Sequence, residues 1–260
     1  MTTFVETTHS AAPAPARPAT RGIPFSRLVR VEWGKSIDTR AARWLLLIVA
    51  VGTAAMMLAP ILATKTFDQN YGGYLRFCGF VLTVLLPVVA ILTMTSEWSQ
   101  RTVLTTFTQE PRRNRVISAK IAATGILTAA AVVFGAAITA LALAVAAASG
   151  RHVDLHLSPS VAVGFLLMVV LNMAMAVGFG GVLHNSAAAI VAFFLVPTLF
   201  SLLSTAVHSA GEWLDPGQSF NWIGAGDWND HTAKILVTMT LWVVLPLIAG
   251  FVRTARREIN

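Results

Sequence analysis

Six stretches of this chain run for about 18 residues or more without an Asp, Glu, Lys, Arg or His: 44–62, 77–95, 121–148, 161–183, 187–207 and 235–252. About 20 apolar residues in a helix cross the hydrocarbon of a bilayer, whereas an open strand cannot satisfy its backbone in lipid. The pattern therefore predicts an all-α integral membrane protein with six transmembrane helices. The third stretch is long enough to tilt or project. Only His184, Asn185 and Ser186 separate the fourth from the fifth, which predicts a tight helical hairpin rather than one merged helix.

Composition supports this reading. Charged residues make up 12% of the chain, against about 25% in a soluble domain. The net charge of +7 does not point to nucleic acid, because the basic residues sit beside apolar blocks and form no basic domain. The lone cysteine, Cys78, falls inside a span, so no disulfide framework exists.

Orientation follows from the distribution of Lys and Arg. Seven precede the first span (Arg17, Arg21, Arg27, Arg30, Lys35, Arg40, Arg43), five lie between the second and third (Arg101, Arg112, Arg113, Arg115, Lys120), and three follow the last (Arg253, Arg256, Arg257). With six spans these regions share one side, leaving Lys65, Arg76, Arg151 and Lys234 on the other. Both termini are expected in the cytoplasm.

Residues 1–22, rich in Ala, Pro and Thr, read as a disordered cytoplasmic tail, with no apolar core of a signal peptide. Residues 23–40 read as an amphipathic helix lying on the membrane surface. Phe25, Leu28, Val29, Trp33 and Ile37 share one broad face, with Arg27 and Arg30 largely opposite. Glu32 is out of place, because helical geometry puts it within the apolar arc, where a carboxylate wants a basic partner or must reach the headgroups. Gly34-Lys35-Ser36 imitates the end of a phosphate-binding loop, but Val29 stands where that loop needs a glycine and no strand precedes it. The six-span domain is expected over 41–252, followed by a cytoplasmic tail at 253–260.

The spans themselves carry little chemistry. Ion-coupled carriers place ionisable groups at mid-membrane depth, and an intramembrane hydrolase needs its acid, base or metal ligands there. The deepest polar side chains here are Ser, Thr and Asn172, the last read as an interhelical hydrogen-bonding group. Many spans with no coupling charges and no nucleotide site suggest that another chain supplies the energy.

Between spans two and three, TSEWSQRTVLTTFTQEPRRNRVISAK concentrates polar and basic groups. Ser96 can cap a short helix, Glu97 and Arg101 have the i,i+4 spacing of a favourable pair, and Pro111 ends that helix or starts the next. In order and position Glu97-Trp98, Arg101-Thr102, Pro111-Arg112-Arg113, Arg115 and Lys120 resemble the cytoplasmic loop of ABC-2-type transporter permeases. The resemblance extends in outline over the whole chain, and departs from the family at Arg101, where a glycine is usual.

The resemblance implies a bacterial inner-membrane exporter subunit without catalysis of its own. Two permease chains, by default a homodimer, would pair with two copies of an ABC ATPase that binds ATP and Mg. The loop would form a coupling helix. Glu97, Trp98, Arg101, Thr102 and Pro111 would lie at or near the ATPase contact, with Arg112, Arg113 and Arg115 flanking it. Phe80, Thr83, Phe194, Thr198 and Ser201 would line the pathway. Trp213, Phe220, Trp222 and Trp228, in the segment before the last span, would belong to short re-entrant helices gating its outer end. A lining without fixed charge suits amphiphilic or lipophilic cargo such as drugs, peptides or lipids. The alternatives are a stand-alone carrier or channel, or a membrane enzyme or scaffold.

Three further features stand apart. His152, Asp154 and His156 are residue types that bind metals, but in a short outer loop they read as solvated polar groups, and no metal site is assigned. Gly178, Gly180 and Gly181 permit close helix packing. Pro60, Pro87, Pro197 and Pro246 predict kinks within or near span ends.

Overall fold

The computed structural model describes residues 23–63, 67–100, 102, 106, 108, 110 and 112–256. The chain is almost entirely helical. Among the described residues the β structure amounts to an isolated parallel bridge between Asn70 and Asp154. The tail over 1–22, Lys65, Arg101, Pro111 and residues 257–260 lie outside the described residues.

Ten α-helices are named here in chain order. They are α1 (Phe25–Asp38), α2 (Arg40–Met56), α3 (Leu58–Leu62), α4 (Tyr71–Ser99), α5 (Arg113–Ala148), α6 (Pro159–Leu183), α7 (Ser186–Val207), α8 (Pro216–Ala225), α9 (Thr232–Met239) and α10 (Leu245–Arg256). A 3-10 turn (His208–Trp213) joins α7 to α8, and a π-helical turn (Thr240–Val244) joins α9 to α10. Counted as continuous rods, six among the described residues are long and apolar enough to cross a membrane: Arg40–Leu62, Tyr71–Ser99, Arg113–Ala148, Pro159–Leu183, Ser186–Ser204 and Thr232–Arg256.

The rods run past the apolar stretches because caps, not hydropathy, set their ends. Asn70 Oδ1 accepts from Gly73 N and starts α4 well before residue 77, so Arg76 belongs to the helix. At the other end α4 carries Glu97, and α5 begins early enough to carry Lys120. His184 closes α6 in the left-handed conformation (φ 51°), and α7 starts at Ser186, which makes the expected hairpin.

α4 is the central pillar, with 61% of its apolar window buried, against 22% for the α2–α3 rod and 11% for α7. It packs along α6, and α6 packs in turn along α10. Glycine makes the second contact possible. A Cβ on Gly178 would stand 2.9 Å from Leu247 N, and one on Gly181 would stand 3.2 Å from Gly250 Cα. Small residues let backbones approach this closely where lipid supplies no hydrophobic drive between helices. Pro87 and Pro197 lie inside α4 and α7.

Candidate functional site

The residues singled out in the sequence divide between the two ends of the bundle. At the end bearing most basic residues, α1 lies against α5 and also touches α2 and α4. Its innermost line is not the apolar face but Glu32 and Ser36, both buried. Glu32 lies one turn before Ser36 on this line, and its carboxylate meets two lysines. Lys35 Nζ is 2.6 Å from Oε1 and Lys120 Nζ is 2.7 Å from Oε2. The misplaced carboxylate thus has its basic partners. Arg27 and Arg30 are exposed and Trp33 packs against the core.

Glu97 completes the cluster. Its Oε1 lies 3.0 Å from Lys35 Nζ and 3.5 Å from Lys120 Nζ, and it accepts from Thr106 Oγ1 at 3.0 Å. Two carboxylates and two ammonium groups thus balance, in a region where isolated charges are costly to bury. Hydroxyls and a carbonyl take up remaining hydrogen-bonding capacity. Lys120 also donates to Thr93 O, Thr93 Oγ1 donates to Ser36 Oγ, and Ser36 Oγ donates to Glu32 O. Burial disfavours the charge on Lys35, but its hydrogen bond and attraction to Glu32, with those to Glu97, outweigh this and hold its pKa above the ordinary lysine value.

This arrangement turns Glu97 inward. Only 5% of the residue is exposed, and its carboxylate fastens helices together. The pairing expected with Arg101 lies outside the described residues. Trp98 also points into the bundle end, its ring 4.4 Å from that of His184, whose Nε2 lies 2.8 Å from Thr254 Oγ1. Beyond α4, Thr102 N donates to Glu97 O, Thr106 N to Thr102 O and Glu110 N to Thr106 O. Glu110 is buried and accepts from Arg115 Nη1 at 3.0 Å, while Arg115 Nη2 donates to Ile23 O at 2.6 Å. Thr102 and Arg112 are exposed and Arg113 is half-buried.

At the opposite end, Phe80, Thr83, Phe220 and Trp222 line one cavity of about 490 Å³ between α4, α6 and α8. Asn172 lines it too, and the expected interhelical bond is absent: its Oδ1 is buried with no hydrogen-bond partner. Phe194, Thr198 and Ser201 do not line this cavity. Phe194 packs edge-on against Phe193, Thr198 Oγ1 donates to Phe194 O, and Ser201 Oγ donates to Asp215 Oδ1 at 2.5 Å. Asp215 caps α8 by accepting from Gly217 N and Gln218 N.

The remaining aromatics hold this end together. Trp222 stacks on His231 at 4.0 Å, with Lys234 Nζ 5.6 Å from the Trp222 ring centroid. Lys234 also pairs with Glu212, which lowers the pKa of that carboxyl through their hydrogen bond and charge attraction. Trp213 is 41% exposed, and Trp228 packs against the core. Asp154 N donates to Gln69 O, and Asp154 Oδ1 accepts from His156 N. Among the described residues no three His, Cys, Asp or Glu side chains are grouped to hold a metal ion.

Hydropathy alone could not have found the charge cluster, because its members come from three helices. Glu32 within an apolar arc was the one visible sign. No protein-family model matches the chain, and no curated protein matches it.

Proposed function

We propose that this chain is the transmembrane subunit of an ATP-driven, ABC-2-type exporter in a bacterial cytoplasmic membrane. Both termini would lie on the cytoplasmic side, where most of the basic residues are. A separate ATPase chain, in two copies, would bind ATP and Mg, and a second permease chain, most simply another copy, would complete the pathway.

The observation that carries the reading is the buried Glu32–Lys35–Glu97–Lys120 cluster at the root of the segment between α4 and α5. A loop that only held anionic lipid would have no need of a Lys120 buried between two carboxylates. Here the root is fastened to α1, α4 and α5 together, and Glu110 and Arg115 fasten its far end. A push on such an arm is delivered to three helices as one body, which is what coupling to a motor requires. Glu97 is then a positioning residue. The ATPase contact falls to the exposed parts of the segment, among them Thr102 and Arg112. The 3-10 turn, α8 and their aromatics would close the outer end of the pathway.

Native mass spectrometry of the chain, gently purified from its own membranes, tests the assembly. A co-purifying ATPase chain in equal number is expected. A stable assembly of this chain alone, from a preparation that keeps other weak complexes intact, would favour a carrier or scaffold. In the assembled protein, Glu97→Ala should abolish export while insertion and permease pairing persist. Normal export by that variant would remove Glu97 from coupling.

A further inference from the structure

We infer that the cavity between α4, α6 and α8 binds an elongated amphiphile bearing an anionic group, with the anion on Arg76 and a hydrogen-bonding group on Asn172. The cavity of about 490 Å³ falls within the roughly 300–1,000 Å³ of small-molecule sites, which are mostly apolar with a few placed polar groups. Its apolar walls come from Phe80, Phe165, Met168, Phe220 and Trp222. The Trp222 wall is backed by the stacked His231 ring, so it stands ready-formed.

Three polar side chains lining the cavity, Arg76, Asn172 and the exposed Asn221, have no side-chain partner among the described residues. Asn172 makes no side-chain hydrogen bond among the described residues, and its Oδ1 is sealed from solvent. A buried amide oxygen without a partner destabilises a fold that an apolar side chain would suit better; with Oδ1 sealed, the amide nitrogen is the atom left to donate to a ligand in the cavity. Thr83 differs, since its hydroxyl already donates to Gly79 O at 2.7 Å.

Among the described residues Arg76 is the only basic one lining the cavity, and it also borders two adjoining recesses. Asp68 and Asp154 border one of those recesses, yet neither forms an ion pair with Arg76 among the described residues. An unpaired guanidinium favours carboxylate, phosphate or sulfate through paired N–H donors. Arg76 stands roughly 10 Å along α4 from Thr83, at about 1.5 Å per residue. A ligand with its anion on Arg76 that fills the cavity as far as Thr83 is therefore elongated, with its charged head towards the N-terminal end of α4. As a statement about cargo this inference rests on the export reading; as a binding site it does not.

The test uses the purified full chain in neutral detergent and a photoactivatable dodecanoate carrying a diazirine in its chain. Saturable labelling within α4, α6 or α8 is expected, displaced by dodecanoate but not by dodecylamine. Arg76→Gln should reduce labelling about tenfold. Asn172→Leu should reduce it several-fold while leaving the Tm unchanged or raised. Labelling elsewhere, or indifferent to both substitutions, would overturn the site, and displacement by the amine would overturn its preference for anions. A lower Tm for Asn172→Leu would make Asn172 a structural group. Displacement by phosphatidylglycerol as effective as by dodecanoate would keep the site but assign it to resident lipid, overturning its role in cargo binding. Failure of labelling in a chain that still co-purifies with an ATPase would leave the export reading intact, and labelling of a chain that purifies alone would leave the site intact.

Discussion

Four side chains at one end of the bundle form a closed account of charge, so removing one should be felt by the other three. Lys120→Met leaves Glu32 and Glu97 to share Lys35. Because the Lys120 and Glu32 side chains are each only 5% exposed, the expected loss is about 3–5 kcal/mol, the usual cost of breaking a buried pair from one side. Adding Glu32→Gln should restore part of it, with a coupling of about 0.5–3 kcal/mol. Thermal unfolding of the two single variants and the double variant measures this, and strictly additive losses would refute the pairing. Lys35 gives a pH dependence. Its folded pKa is raised, so its contribution is complete below the usual lysine value of about 10.4 and is lost as pH rises through the higher folded value. Stability should therefore be flat in this respect around neutrality and fall in strong alkali, a fall that Lys35→Met should diminish. With its side chain 40% exposed, solvent keeps the effect small. The sequence marked Glu32 as misplaced but could not name Lys120 as its mate, since periodicity assigns a face and not the residue opposite. Asn172 was misread for the same reason: a polar group at depth announces a need for a partner without saying whether the fold supplies one.

Among the elements, α6 and α10 meet through glycines that the sequence already displayed. Gly178→Val would drive a side chain into the backbone at Pro246 and Leu247, which a Cβ alone approaches to 2.9 Å. The helices must separate, so a fall in Tm is expected. By contrast Gly125→Ala, on α5 with nothing within 4 Å of its Cβ, should be neutral or slightly stabilising, because alanine is the better helix former by about 1 kcal/mol. Equal effects of the two substitutions would contradict the packing. The π turn before α10 was not legible. Pro246 predicts a disturbance because it cannot donate to the helix ladder, but not its form. In the structure Leu245 N reaches back to Thr240 O, and Trp242 Nε1 donates to Leu214 O. A long-range side-chain bond of this kind leaves no local trace in sequence.

For the molecule as a whole, six apolar rods were legible from length alone, and their ends were not, since Thr39, Asn70 and His184 act as caps from outside the apolar runs. Sidedness can be measured directly. Cys78 is buried, so a single introduced thiol should report alone. Gln100→Cys, exposed at the basic end, should react with an impermeant maleimide only from the cytoplasm, and Asn229→Cys, exposed at the other end, only from outside. Reaction of both from one face would break the six-span arrangement. The lightly buried α2–α3 rod and α7 leave broad apolar surfaces open.

The cluster at the basic end also sets an order of assembly. Glu32 and Lys120 are 88 residues apart, an interval of roughly 4–18 s at about 5–20 residues per second of synthesis. Throughout that time α1 has left the ribosome and Glu32 still lacks its buried lysine. Only when the third rod arrives can Lys120 close on Glu32, so the amino-terminal helix gains its full set of ion pairs after half of the spans have been made.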